Sequence, residues 1–531
     1  MRCTKRREAN GRPHRRAARH SRSPGKPRPG PSSYDQVTYA SRPLPQTHPD
    51  HLATVGALFG FDAPDVARCR VLEIGCAAGG NLIPLAASHP DSTFVGIDSS
   101  PVQIAQGAGE IDALGLGNVR LLPVDVMEFG DEHGEFDYII AHGIYSWVPA
   151  PVQRKILALC GSRLARNGIA LVSYNTLPGW RLLSVVREAM LYQAKDIADP
   201  RAKVGQARAT LDFLAESVVD RESAYGRLLR LAAEHIRRKP DYYVLHEYLE
   251  QSNEALYFEE FIARIAPHAL RYLGDSDMAT MLAVDLPRTA MSTLDRIAPS
   301  LVRREQFLDF LSSRSFRHSL LIREGAVLER KLTPASIMTL RIAAPVAADG
   351  VPADTTLDRP QAFRLIDGRK LDASPPIVKS ALTILAERWP LPIAFDDLHE
   401  RTLARLGSAS RDATADRALL AAELLRLYAA GAAELHRGVP RFVLTPGECP
   451  QAFSPARRDA QRGAGQIVSA NLRHEPTALD DGECALLPLL DGARSRAGIA
   501  ALRWPALPEA ERRANLDHAL AALGRRALLV R

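Results

Sequence analysis

From Arg70 onward, short apolar runs alternate with stretches of helical period. RVLEIG (70–75), STFVGID (92–98), NVRLLPVD (118–125), FDYIIAHG (136–143) and GIALVSYN (168–175) each read as a strand. Helical patterns separate them, notably at 101–114, 150–165 and 179–194. Short buried strands alternating with helices predict a parallel sheet covered on both faces.

After Asp196 the pattern changes. Residues 200–265 read almost entirely as helix, LRYLGDS (270–276) as a strand, 288–312 as helix again, and SFRHSLLIRE (315–324) as a further strand. The two late strands are expected to complete the sheet, which makes the helices between them insertions into the same domain. Pro345 to Pro360 reads as a linker. Three helical patterns follow (PPIVKSALTILAERW, FDDLHERTLARL and ADRALLAAELLRLYAAG), then AAELHR and PRFVLT as a hairpin. That combination is winged-helix-like. Its third helix carries only Arg417 and Arg426 as cations, offset by Asp416 and Glu423, which suits packing against protein better than a major groove. From 451 to 531 the chain is rich in Ala and Arg and reads as mostly helical.

Composition fits this picture. The 531 residues are 46% hydrophobic, enough for about three or four domain-sized units. The net charge of +7 is uneven: residues 1–30 hold eleven Lys/Arg against Glu8, so the rest of the chain is slightly acidic. Nucleic acid is therefore not an expected partner of the globular body; only the basic tail leaves room for one. That tail (1–32) has no apolar run and is expected to be disordered, and neither a signal peptide nor an anchor. No apolar run of about 18 residues appears elsewhere, so no membrane insertion is expected. Six cysteines without a CxxC pair or a zinc pattern suggest a reduced, cytoplasmic chain with no metal site.

The candidate chemistry starts in VLEIGCAAGG (71–80), a strand running into a glycine-rich turn. A GxGxxG dinucleotide turn would need a second glycine where Ala77 stands. Three acids shift the balance. Glu73 lies near the end of the first strand, Asp98 ends the second within VGIDSS, and Asp125 closes the third apolar run. Acids at consecutive strand ends share the carboxyl edge of the sheet, where open α/β folds bind ligands. Such an edge suits a cationic sulfonium better than a diphosphate.

VLEIGCAAGGN, VGIDSS and the Asp125 segment resemble the motifs of class I S-adenosylmethionine-dependent methyltransferases. FDYIIAHGIYSWVP, NGIALVSYNTLPGW and the upstream SYDQVTYASRPLPQTHPDHLATVGALFG extend the likeness. PDYYVLHEYLEQSNEALYFEEF resembles the methyltransferase regulatory domain. EQFLDFLSSRSFRHSLLI and ANLRHEPTALDDGECALLPLLDGARSRA match the longer members, similar to bacterial (rickettsial-type) protein-lysine methyltransferases.

The resemblance implies a seven-stranded Rossmann-like sheet with helical insertions, followed by a winged-helix-like and a mostly helical C-terminal region. The expected units are an S-adenosylmethionine-binding core at 33–195, a helical regulatory insert at 196–314, the last core strand and exit at 315–345, a winged-helix-like domain at 346–450 and a helical domain at 451–531. Glu73, Gly75, Ala77 and Gly79 would line the methionine part of the cofactor. Asp98 would bind the ribose beside Ser99, and Asp125 and Val126 the adenine. His142 and Gly143 would lie near the sulfonium, with His142 the best candidate base, although it also reads as a packed histidine. Tyr145, a candidate catalytic residue with His142, would wall a channel for the substrate together with Trp147, Tyr174 and Trp180, beside Asn175, or these aromatics would equally serve as core. The implied activity is methyl transfer to lysine side chains of a protein. A small-molecule methyltransferase and a non-catalytic cofactor-binding regulator remain alternatives. Helical inserts often supply dimer contacts, so a homodimer is left open.

Overall fold

The computed structural model describes residues 36–38, 41–282, 286–349, 354, 357–407, 412–463 and 467–530. The basic tail expected to be disordered lies outside the described residues.

The alternating pattern builds one seven-stranded sheet. Its strands are β1 (Arg70–Ile74), β2 (Thr93–Asp98), β3 (Val119–Pro123), β4 (Phe136–Ala141), β5 (Leu164–Asn175), β6 (Leu270–Asp275) and β7 (Phe316–Arg323). The order across the sheet is β3-β2-β1-β4-β5-β7-β6. β1 to β5 pair in parallel, whereas β7 runs antiparallel to both β5 and β6. The two late strands thus complete the sheet, and 180–265 is an insertion between β5 and β6.

Side chains alternate between two cores, as the two-residue period of a strand requires. Val71, Tyr138, Ile169 and Leu171 face the helices Pro49–Leu58 and Leu82–Ser88, in a core that continues into residues 337–435. Leu72, Ile139, Ala170 and Val172 face the helices Ala150–Arg163 and Phe258–Ile265. Because both faces are covered, the strands read as continuous apolar runs. The insert has its own core, built by Val186, Met190, Leu211, Leu229 and Val244 among others. The C-terminal residues 452–529 form another.

Three expectations change. β3 stops at Pro123, so Asp125 stands two residues beyond the strand, in a turn where its Oδ1 accepts the Met127 N–H at 2.9 Å. PRFVLT does not pair with AAELHR. Glu434–His436 instead joins Arg341–Ala343 and Ile393–Ala394 in a three-stranded sheet, while Phe442 bridges Val530. That sheet crosses the expected boundary at 345/346, because strands of two or three residues carry too little periodicity to be read. The stretch 451–531 is not helical throughout: Ile467–Ala470 and Pro476–Leu479 form an antiparallel hairpin.

One polar clasp fastens the short sheet to the core. His436 lies 3.5 Å from Asp50, on the helix Pro49–Leu58, and 3.4 Å from Glu434. Asp50 also accepts the Gly438 N–H at 2.5 Å, and Thr54 accepts the Arg437 N–H at 3.0 Å. Burial would lower the imidazole pKa, but the two carboxylates outweigh it and raise it to about 9. The charged form is favoured by folding, so the clasp contributes fully below the ordinary value of 6.5 and fades as pH rises through about 9. We expect His436→Ala to lower stability at pH 7 by about 1–3 kcal/mol. Denaturant midpoints of the variant should fall less steeply than those of the native chain as pH rises from 7 to 9.

Candidate functional site

The carboxyl ends of β1, β2 and β4 meet above the glycine turn. Gly75 leaves β1 with φ +76°, and its N–H donates to Ile97 O of β2 at 2.8 Å. The positive φ favours glycine there, and a Cβ would stand a close 3.1 Å from Ile144 Cδ1. Ala77 has φ +50°, a left-handed conformation that favours glycine. Its N–H donates to Asp98 Oδ2 at 2.9 Å, and Asp98 Oδ1 accepts the Ser100 N–H at 2.9 Å. The Asp98 carboxylate therefore holds the turn after β1 and the start of the helix after β2 together. Gly79 also has positive φ, at +75°. Ser99 is exposed, whereas Val126 is buried in the core below Asp125, itself exposed.

Glu73 is 4% exposed. Its Oε1 accepts from Asn81 Nδ2 at 3.0 Å, while Oε2 is buried with no hydrogen-bond partner. Burial pushes the carboxyl up to about 8; the Asn81 bond opposes this and the Asp98 charge adds to it. An unpaired buried carboxylate oxygen is a costly feature in isolation and fits a cationic partner such as an ammonium.

The segment Ser41–Thr47 crosses over this turn. The Gly80 N–H donates to Ser41 Oγ at 2.6 Å, and the Leu44 N–H donates to Asn81 Oδ1 at 3.0 Å. Gln46 Nε2 lies 3.3 Å from His142 Nε2. A Cβ on Gly80 would sit 2.4 Å from the Ser41 carbonyl carbon, so this residue must be glycine for the segment to approach.

His142, just past β4, stacks on His318 of β7 with ring centres 5.2 Å apart and Nε2 atoms 3.2 Å apart. His142 Nε2 thus stands within hydrogen-bond distance of both Gln46 Nε2 and His318 Nε2. Burial, with the neighbouring His318, lowers the His142 pKa to about 3, and His318 falls to about 4. The expectation of His142 as a base is therefore corrected: it is neutral at physiological pH and its basicity is too low to draw a proton from an ammonium. The adjacent Gly143 N–H donates to Ser173 Oγ at 2.8 Å.

The aromatic wall is corrected in part. Tyr145 and Tyr174 are 1% and 0% exposed, so neither ring borders a channel. Tyr174 stacks on Phe261 at 4.1 Å and hydrogen-bonds Ser319 Oγ through its hydroxyl at 3.1 Å; Tyr145 meets Phe261 edge-on at 5.7 Å. They pack the sheet against the helix Phe258–Ile265. Asn175 is buried as well, its N–H bonded to Ser146 Oγ at 2.9 Å and its Nδ2 without a partner. Trp147 and Trp180 are partly exposed and meet edge-on at 6.0 Å.

Beside the histidine pair a cleft of about 1450 Å³ opens between the core, the 390–442 region and the C-terminal residues. Gln46, His51, His318, Asp277, Arg437 and Glu475 are among its lining. Ser41, Gln46, Asn81 and His318 are site residues that sequence patterns did not single out. Each stood inside a stretch that carried the family resemblance, but none has a spacing that announces chemistry.

Comparison with known proteins agrees with the geometry. Residues 72–170 match the family described as methyltransferase domain, 240–323 that described as predicted methyltransferase regulatory domain, and 448–502 that described as PKMT, C-terminal winged helix domain. The last begins at the very end of the 346–450 segment in which the sequence pattern suggested a winged helix and lies mostly after it. An uncharacterised protein of Rickettsia prowazekii (strain Madrid E) is 33% identical over 475 residues, covering 88% of this chain and 84% of that protein. A second one from the same organism is 39% identical over 232 residues, covering 44% of this chain and 93% of its own length. The solved structure of PKMT2 from Rickettsia typhi superposes with a TM-score of 0.83 at 28% identity, covering 93% of this chain and all of that one, and it has also been solved in complex with AdoHcy. Among the described residues, no helix is long and apolar enough to cross a membrane. With a matching sheet order, matching domain families and a whole-length structural relative, the chain belongs to the class I S-adenosylmethionine-dependent methyltransferases of the rickettsial PKMT type.

Proposed function

We propose that this methyltransferase acts on lysine side chains of a protein substrate. The observation that carries the proposal is the cleft. At about 1450 Å³ it exceeds the roughly 300–1,000 Å³ of small-molecule pockets, and it is walled by separate parts of the chain. It reaches Gln46 and His318, both in contact with His142 at the end of β4. The similarity to PKMT2 from Rickettsia typhi supports the same reading.

On this proposal Glu73 would hold the cofactor's amino group, and Gly75, Ala77 and Gly79 its methionine part. Asp98, with Ser99 beside it, would hold the ribose; Asp125 and Val126 would flank the adenine. The unpartnered Glu73 Oε2 fits an ammonium, directly or through a water. When bound, the cofactor supplies an electrophilic methyl on a positively charged sulfur. The remaining work falls to the chain: to align the acceptor amine and exclude water.

A lysine amine must arrive deprotonated, against an ordinary pKa of about 10.4. His142 is too weak a base to help, so the amine gives its proton to water as it leaves bulk solvent, and desolvation eases that loss. His142 and His318 would present neutral, oriented imidazoles beside the acceptor.

Four outcomes follow. Asp98→Ala is expected to abolish calorimetric binding of S-adenosylhomocysteine, and wild-type affinity in that variant would remove the site assignment. Because an ammonium favours ionised Glu73, binding below pH 8 should release protons and tighten as pH rises from 6 to 8. Buffers of different ionisation enthalpy measure that release; Glu73→Gln should lose it, with affinity weakened about tenfold or more. His142→Ala should slow turnover yet leave the pH dependence of kcat/KM rising through neutrality as in the native enzyme. Loss of an acidic limb in the variant would restore His142 as a base. Finally, labelled S-adenosylmethionine incubated with a cell lysate should yield label that survives nuclease, is lost to protease and is recovered as methyl-lysine. Label confined to small molecules would instead favour a small acceptor.

A further inference from the structure

The C-terminal region reaches the cofactor turn directly. Its hairpin, Ile467–Ala470 with Pro476–Leu479, ends in a tight tip. Asn471 Oδ1 accepts the Arg473 and Glu475 N–H groups, each at 2.9 Å, and the Asn471 N–H donates to Glu475 O at 3.1 Å. Arg473 pairs with Glu475 and, across the cleft wall, with Glu434, each at 2.9 Å. At the apex His474 takes φ +61°, a left-handed conformation held by this surrounding frame.

That conformation aims the ring into the core. His474 is 2% exposed, and its Nε2 lies 2.7 Å from Asn81 Oδ1. The Asn81 amide is the link that matters. Its Oδ1 also accepts the Leu44 N–H at 3.0 Å, and its Nδ2 donates to Glu73 Oε1 and Thr47 Oγ1, both at 3.0 Å. Only a protonated Nε2 can complete this pattern, since Oδ1 must accept. Burial, with His48 and His89 nearby, keeps the ring neutral, so the single ring proton stands on Nε2 and faces Asn81. The shortest of the bonds to Asn81 Oδ1 therefore comes from a residue 393 positions away in the chain.

Further contacts place the same region against the helices that follow β1 and β2. Leu472 and Ala87 belong to one apolar cluster, and Arg462 pairs with Glu110. The hairpin tip is thus fixed where the turn's own helix begins.

We infer that His474 is a positioning residue of the cofactor site: by bonding Asn81 Oδ1 it orients the amide that presents Nδ2 to Glu73, so that docking of the C-terminal region sets cofactor affinity. The inference rests on the assignment of Glu73 to the cofactor's amino group. A purely architectural histidine would stabilise the fold without changing what Glu73 binds.

The test is calorimetric titration of the full-length protein with S-adenosylhomocysteine, on variants first shown folded by circular dichroism. His474→Ala should weaken binding about tenfold or more, raising KM for S-adenosylmethionine more than it lowers kcat. His474→Gln, whose amide N–H can donate to Asn81, should bind within about threefold of the native protein. His474→Leu fills the space without a donor and takes the place of the alanine variant should that one not fold. In an Asn81→Ala background, His474→Ala should add little further loss, because the bond it removes no longer leads to Glu73. Native affinity in folded His474→Ala or His474→Leu, or full additivity with Asn81→Ala, overturns the inference. Glu73→Ala separates the two readings. If it abolishes binding while the His474 variants bind normally, only the positioning role fails. If it too binds normally, the assignment of Glu73 has failed.

Discussion

The Asn81 side-chain amide is the point on which the site is assembled. A buried amide has to satisfy both its carbonyl and its NH2 within the protein, because no water reaches it. Here the partners come from three stretches of the chain: Leu44 and Thr47 of the N-terminal segment, Glu73 of β1 and His474 of the C-terminal hairpin. None of these stretches can move alone without stranding a polar atom, which costs about 1–3 kcal/mol. The amide therefore ties the roof of the site, its acidic floor and a distant domain into one arrangement.

Around that point the protein divides charge by burial. Glu73 and Asp98 stand near the ends of neighbouring strands, Glu73 in register with Gly96, and Glu73 is held up at about 8 by being buried. The histidines His48, His142 and His318 are driven the other way, to between about 3 and 4. Both shifts follow from low solvation of the charged form. The outcome is a pocket edge poised to accept a cation, bordered by imidazoles that remain neutral. That suits transfer of a methyl from a sulfonium, for which alignment counts heavily.

The antiparallel edge of the sheet depends on a different device. Arg317 of β7 has no solvent exposure, yet it bonds Asp309 at 2.8 Å and Glu305 at 3.1 Å and covers the Phe258 ring at 4.1 Å. Arg314 adds a contact to Asp309 at 3.2 Å. Buried charges persist only when paired this fully. The network pins the helix Leu301–Ser312 under β6 and β7, and so holds His318, one residue further along, against His142. Tyr174, the cross-strand partner of Arg317, and Tyr145 act on the same face by locking Phe261 to the sheet.

Much of this was legible in the chain. Apolar runs marked all seven sheet strands, because strands buried on both faces cannot hide their composition. The glycine turn and the acids at 73 and 98 marked the ligand edge, because close backbone approach and consecutive strand ends leave local signatures. Three kinds of information were absent. The two- and three-residue strands of 341–343, 393–394 and 434–436 are too short to show a period, and they pair across long separations. Whether Tyr145 and Tyr174 border a channel or fill a core depends on what packs over them, here Phe261 from an insertion some ninety to more than a hundred residues later. The lowered basicity of His142 came from its burial, with His318 stacked beside it, which no local pattern announces. Sequence by itself determined the sheet and the edge where the cofactor belongs, since those follow from local period and turn chemistry. Tertiary structure decided which polar atoms are buried together, and so which of them are charged, oriented and able to act.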